Sequence, residues 1–165
     1  MSAIRAAPTF VPAPSELDAR VRAVLEGVAD PEIPVLSVLD LGVIRAVELG
    51  SDGSVRVAVS PTYSGCPATA VIRRDIVQAL ERAGFGGATA CDRLSPPWSS
   101  DWITPEGHRK LREYGIAPPS AEREVACPRC GSRSTRRLSE FGSTPCKALY
   151  RCETCLEPFD RFKCH

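Results

Sequence analysis

The spacing of hydrophobic and polar positions changes period along the chain, and each change marks an element. Leu17, Val21, Val24, Leu25 and Val28 recur on one face at helical spacing. They predict an amphipathic helix over 16–28, with Ser15 as its cap and Asp18 three residues on. The helix should stop before Asp30-Pro31, because a residue preceding proline is pushed out of helical geometry. A strand is predicted over 43–49. After the turn cluster Gly50-Ser51-Asp52-Gly53, Val55, Val57 and Val59 alternate with Arg56 and Ala58, as the returning strand of a hairpin would over 54–60. Pro67 suits a first helical position, which makes Cys66 the predicted N-cap of a second helix. Its buried face would be Val71, Ile72, Ile76, Ala79, Leu80 and Ala83, and Gly84, Gly86 and Gly87 would end it. A third strand over 88–94 contains Cys91, read as a small core residue. Thr104 and Pro105 then open a third helix, with Leu111 and Tyr114 facing inward and Gly115 at its end. The order α-β-β-α-β-α predicts an α/β (α+β) fold, a compact two-layer domain with helices packed on a small mixed sheet.

Beyond Gly115 the character of the chain shifts. Six of the eight cysteines fall in the last 39 of 165 residues. Pro118-Pro119-Ser120 reads as a linker. The expected organisation is a flexible, proline-bearing arm over 1–14, an α/β domain over 15–117, a linker over 118–123 and a cysteine-rich, zinc-ribbon-like β module over 124–165. The 21 basic and 20 acidic residues nearly cancel, which argues against a dedicated nucleic-acid binder. No apolar run approaches membrane-spanning length, and the N-terminus lacks the layout of a signal peptide. A soluble cytoplasmic protein is the expectation, and cysteines in a reducing compartment point to metal rather than disulfides.

The strongest chemical signal is Cys127-Pro128-Arg129-Cys130-Gly131 followed by Cys152-Glu153-Thr154-Cys155. Each CxxC puts two sulfurs on one tight turn, and two such turns make a four-thiolate metal site. Zinc is the expected occupant; a single redox iron, as in rubredoxin, would use the same ligands. In the first domain the sharpest residue is Cys66. A thiol at a helix N-terminus meets the positive end of the helix dipole and free N–H groups, which favour the thiolate. Asp30 and Glu32 lie on a stiff turn and could assist Cys66 with transient iron or an iron–sulfur cluster; alternatively Asp30 only shapes the turn and Glu32 is solvated. Trp98 and Trp102 form either a partner-binding pair or a hydrophobic seal under the linker. Cys146 and Cys164 exceed the ligand set of one ribbon and read as an alternative ligand pair, a redox pair or core thiols. His108 reads as a packing or surface residue. Arg133, Arg136 and Arg137 read as a solvated hairpin face offset by Glu140, Glu153 and Glu157. No Ser-His-Asp order, phosphate loop, dinucleotide fingerprint or HExxH is present, so independent catalysis is not expected.

The residues Asp30-Pro31-Glu32, Asp40-Leu41-Gly42 and Ser64-Gly65-Cys66-Pro67 with Thr69 resemble the iron–sulfur assembly domain family that includes the SufT-like proteins. That likeness covers about 16–105. The full chain is similar to the PaaD family of phenylacetate-degradation proteins, through Cys127–Gly131, Phe141–Lys147 and Pro158–Cys164. The resemblance implies an accessory protein that works with the oxygenase and reductase subunits of a phenylacetyl-CoA 1,2-epoxidase and assists their iron or iron–sulfur centres. It implies neither a nucleic-acid nor a membrane partner, and leaves a homodimer open. A rubredoxin-like electron carrier and a docking subunit using the ribbon and the Trp98–Trp102 loop are the rival expectations.

Overall fold

The computed structural model describes residues 19–122 and 124–165. The expected arm, the Ser15 cap with Asp18, and Leu17 lie outside them. The first helix, α1, spans Ala19–Glu26 and buries Val21 and Leu25. Strands β1 (Ile44–Leu49) and β2 (Val55–Val59) form the expected antiparallel hairpin. Helix α2 (Ala68–Arg82) then carries the chain back so that β3 (Thr89–Asp92) lies parallel to β2. The sheet order is β1-β2-β3. Every second residue of β2, Val55, Val57 and Val59, is at most 1% exposed. They pack with Ile72, Ile76 and Leu80 of α2 in one core. This is the two-layer mixed arrangement that the periodicities predict.

Helix α3 (Pro105–Tyr114) has the expected ends. The Thr104 hydroxyl accepts from the Gly107 N–H at 3.0 Å, and Gly115 closes the helix at φ +91°. The loop before β1 is tied to this helix through Asp40, whose carboxylate accepts from Lys110 Nζ at 2.7 Å and from the Ser37 N–H at 3.0 Å. Burial alone would raise the Asp40 carboxyl; Lys110 and Ser37 more than offset it and hold it below its usual range. Gly42 sits at φ +69°, where a Cβ would collide with the Trp102 carbonyl. Asp40-Leu41-Gly42 is therefore a clamp between loop and helix.

Several inward and outward assignments change. Ala83 and Tyr114 are exposed, at the outer ends of α2 and α3, and Cys91 is exposed on the edge strand β3 instead of packed in the core. Arg45, on β1, is 1% exposed. Its guanidinium lies 3.4 Å over the Trp102 ring, a cation–π contact that offsets part of its desolvation.

The second sheet has the order β4-β7-β6-β5, built from Ile116–Ala117 (β4), Thr135–Ser139 (β5), Lys147–Cys152 (β6) and Pro158–Phe162 (β7). It begins at β4, ahead of the proline-rich segment and of the expected module start at 124. The ribbon does not hang from a linker. Ile116, Cys146 and Phe162 belong to the same buried cluster as the first sheet. Trp98 is the joint: it is buried, its indole N–H donates to Leu41 O at 3.0 Å, and its ring meets Phe162 at 6.0 Å. Trp98 and Trp102 are thus a seal, not an exposed docking pair. His165 adds to the joint by exchanging backbone and side-chain hydrogen bonds with Ser100. His108 is half-buried on α3.

Candidate functional site

Two sets of thiols emerge, one local and one composite. In the local set, Cys127 and Cys152 are buried, Cys155 is half-buried and Cys130 is exposed. The four sulfurs lie within 4.8 Å of one another. Cys127 Sγ is 3.8 Å from Cys155 Sγ, and Cys130 Sγ is 3.6 Å from Cys152 Sγ. A tetrahedron of ~2.3 Å metal–sulfur bonds has edges of about 3.8 Å, so the four sulfurs fit a metal ion. Backbone turns aim them. The Gly131 N–H donates to Cys127 O at 2.9 Å, and the N–H groups of Cys155 and Thr154 each point at Cys152 Sγ from 3.4 Å. Those donors, Cys155 first, hold the Cys152 thiol below its ordinary range. The two knuckles share one conformation: the residue after the second cysteine has positive φ in both, +75° at Gly131 and +65° at Leu156. Arg133, Arg136 and Arg137 on the neighbouring hairpin pair with Glu122, Glu153 and Glu140.

The composite set lies where the modules meet. Cys66 immediately precedes Pro67, the N-cap of α2, so the expected cap moves by one residue and the thiol sits just outside the first turn. The Cys66 carbonyl accepts from the Thr69 N–H at 3.2 Å, and its half-buried sulfur accepts from the Thr62 hydroxyl at 3.9 Å. Gly65, at φ +78°, turns the chain into this position. Cys66 lines a narrow cavity together with Asp30, Glu32, Ser60, Thr69 and Cys146. Sequence reasoning brings Cys66, Asp30 and Glu32 together; it does not find Cys146, which arrives from the ribbon.

The acidic turn is built by its own backbone. Asp30 is 6% exposed, and its Oδ1 accepts from the Glu32 N–H at 2.8 Å and the Ile33 N–H at 2.7 Å. So Asp30 does shape the turn, yet it also faces the cavity. Burial pushes its carboxyl above the usual range, against those hydrogen bonds and the Lys147 charge. Glu32 is half-buried rather than solvated, and is raised by burial and by the Asp30 charge. Its Oε2 is 3.8 Å from Cys146 Sγ. Cys146 is 4% exposed, touches the Thr144 hydroxyl at 3.0 Å, and has its thiol pushed up to about 11 by burial. Tyr63 stands beside Cys66 with its hydroxyl pushed above the ordinary range by burial and by that sulfur. Cys164 is elsewhere, exposed and donating to Ser120 O at 3.2 Å; it and Cys146 do not act as a pair.

Comparison with known proteins follows the same division. Residues 113–163 match the PaaD zinc beta ribbon domain family, and residues 18–90 match the iron-sulfur cluster assembly protein family. Over 149 residues the chain is 49% identical to an Escherichia coli protein described as a subunit of 1,2-phenylacetyl-CoA epoxidase, covering 86% of this chain and 90% of that protein. The chain belongs to the PaaD family. A second likeness covers the first module of this PaaD-family chain: 38% identity over 88 residues to an Fe-S protein maturation auxiliary factor of Porphyromonas gingivalis, spanning 53% of this chain and 83% of the relative. The crystal structure of a domain of unknown function, DUF59, from Bacillus anthracis superposes with a TM-score of 0.53 at 23% identity, over 56% of this chain and 88% of that one. It shows that the first module has the DUF59 fold. Among the described residues no helix is long and apolar enough to cross a membrane. In this PaaD-family chain, then, Cys66 lies in the assembly-type segment and Cys146 in the ribbon segment, and both face one cavity.

Proposed function

We propose that the chain is an accessory factor of a phenylacetyl-CoA epoxidase, and that it assists the maturation of the enzyme's iron or iron–sulfur cofactor. Cys66 receives the metal cargo, with Asp30 and Glu32 supplying oxygen donors and negative charge. Cys127, Cys130, Cys152 and Cys155 would hold a resident zinc ion, whose part is to fix the ribbon fold. The observation that carries the reading is the convergence of Cys66, Asp30 and Glu32 on one cavity. A buried carboxylate beside a thiol is poor packing chemistry and good cation chemistry. The names borne by the relatives, an epoxidase subunit and an Fe-S maturation factor, support the partner and the cargo class. The resident metal here is a fixture, so the ribbon's ligands are asked only to stay closed, while Cys66, on a loop beside a helix end, must open to load and release.

The test is genetic complementation. Cells lacking the protein are given the wild type or Cys66→Ala, and the iron content and turnover of the purified epoxidase are measured. The reading expects the variant to leave the enzyme iron-poor and at least about tenfold less active. Full activation by Cys66→Ala would refute it.

A further inference from the structure

The cavity between the modules holds one more thiol than the cargo reading uses. Cys146 is buried in the main core, not in the ribbon's own cluster. It is the residue just before β6. Its carbonyl accepts from the Lys163 N–H at 2.9 Å, just beyond β7, so the ribbon's last two strands fix its position. Its sulfur faces the acidic turn of the other module across a sequence separation of 114 residues.

Three observations point to a guest. First, the spacing: a sulfur and a carboxylate oxygen bound to one tetrahedral ion, with bonds of ~2.3 and ~2.1 Å, stand about 3.6 Å apart. Cys146 Sγ and Glu32 Oε2 are 3.8 Å apart, long for a thiol hydrogen bond and close to that edge. Second, the Ser60 hydroxyl, on a residue 1% exposed that lines the same cavity, has no hydrogen-bond partner. An orphan buried hydroxyl is costly unless something occupies the space it faces. Third, the size: the cavity is about 10 Å³, room for one water or one ion.

We propose that Cys146 is a second thiol ligand, and that Cys66, Cys146 and Glu32 together bind a single divalent transition-metal ion at the junction of the two modules. Two sulfurs and a carboxylate oxygen form a mixed set that suits ferrous, cobaltous or zinc ions over magnesium or calcium. Asp30, with Oδ1 committed to two backbone N–H groups, supplies charge and positions Glu32 through the turn. Cys66 must turn toward the ion to complete the set, so the site closes on loading. Because one thiol comes from each module, the site exists only while the ribbon is docked. The inference rests on the reading of Cys66 as a metal-holding thiol and adds the ion's nuclearity and the ribbon's contribution.

The experiment uses the full chain with its ribbon metal in place, titrated with cobalt(II) under anaerobic conditions. The variants are Cys66→Ser, Cys146→Ser and Glu32→Gln, each nearly isosteric, and retention of the ribbon metal reports that each remains folded. The expected result is one equivalent of cobalt beyond the ribbon metal, with thiolate-to-cobalt charge-transfer absorption. Each cysteine variant should halve that absorption per bound ion and weaken binding more than tenfold. Glu32→Gln should weaken binding while leaving the charge-transfer intensity intact. No additional cobalt in the wild type overturns the proposal. So does an unchanged spectrum in Cys146→Ser; if Cys66→Ser abolishes the bands in that case, the cargo reading of Cys66 stands and only the composite site falls. Full epoxidase activation by Cys66→Ala would remove the cargo reading whatever the cobalt titration gives.

Discussion

The two thiol sites differ in how they are made. The ribbon site is assembled by two tight turns, each of which aims its own pair of sulfurs, and the pairs meet across neighbouring strands. The junction cavity is assembled by the fold: Asp30 and Glu32 come from the loop after α1, Cys66 from the start of α2 and Cys146 from the ribbon. One site uses identical soft donors and closes on itself. The other mixes sulfur and oxygen and keeps a raised, buried carboxyl. A closed four-thiolate site is suited to permanence. A mixed site held together by docking is suited to exchange, and that contrast supports giving the cargo to the junction and the fixture to the ribbon.

The contrast can be broken most severely by removing a ribbon ligand. Cys152→Ala deletes one of four sulfurs at a position that is wholly buried. Metal content should fall to near zero and stability should drop by at least about 5 kcal/mol, since binding energy of ~10–16 kcal/mol is linked to folding in such modules. Metal analysis and thermal unfolding would show it. Cys66→Ala, in the same assays, should leave ribbon metal and melting almost unchanged.

Undocking the ribbon without touching its metal is the next step down. Phe162 is 1% exposed and meets Trp98. Phe162→Ala should cost about 3–5 kcal/mol and open the junction. The readout is alkylation of Cys146, which is buried in the native protein and should become at least tenfold faster in the variant. Unchanged labelling would mean that the modules are less dependent on each other than their shared core implies.

A smaller effect concerns the acidic turn. The folded protein holds the Asp30 carboxyl above its unfolded value. In the interval from the unfolded value of ~3.9 up to the raised folded one, the native state binds more protons, so stability falls as pH rises through that interval. Asp30→Asn keeps an oxygen for the two turn N–H groups and removes the charge. It should stabilise the protein at neutral pH by about 1 kcal/mol and abolish that part of the pH dependence. Asp30→Ala should instead lose about 1–2 kcal/mol with the turn's hydrogen bonds. A destabilised Asn variant would contradict the view that the charge is kept for function at a cost in stability.

The smallest expected effect is at the knuckles. Leu156 holds φ +65° and is 57% exposed, where its counterpart is Gly131. Leu156→Gly should relieve backbone strain while losing little buried surface, for a net gain of up to about 1 kcal/mol in denaturant unfolding.

The same contrast explains what can be read from the chain alone. The helix caps at Thr104 and Gly115, the valine alternation of β2 and the two CxxC turns are local signals, and the structure contains them at those residues. The convergence of Asp30 and Glu32 with Cys66 is a matter of fold and family resemblance, because nothing in their spacing links them. Cys146 carries no signal of its place, since its partner lies 114 residues away. Arg45 reads as an outward residue of a hairpin and is buried because Trp102 offers its ring face. Cys91 reads as core because cysteine usually is, and is exposed because β3 is an edge strand.

The most direct test of the division of labour is a metal count with a visible absorption spectrum on anaerobically purified protein reconstituted with ferrous iron, wild type beside Cys66→Ala. The account predicts about one zinc per chain in both, and iron-dependent absorption that is present in the wild type and lost in the variant. Iron absorption that persists in Cys66→Ala would contradict it, and would move the redox chemistry to the four ribbon cysteines.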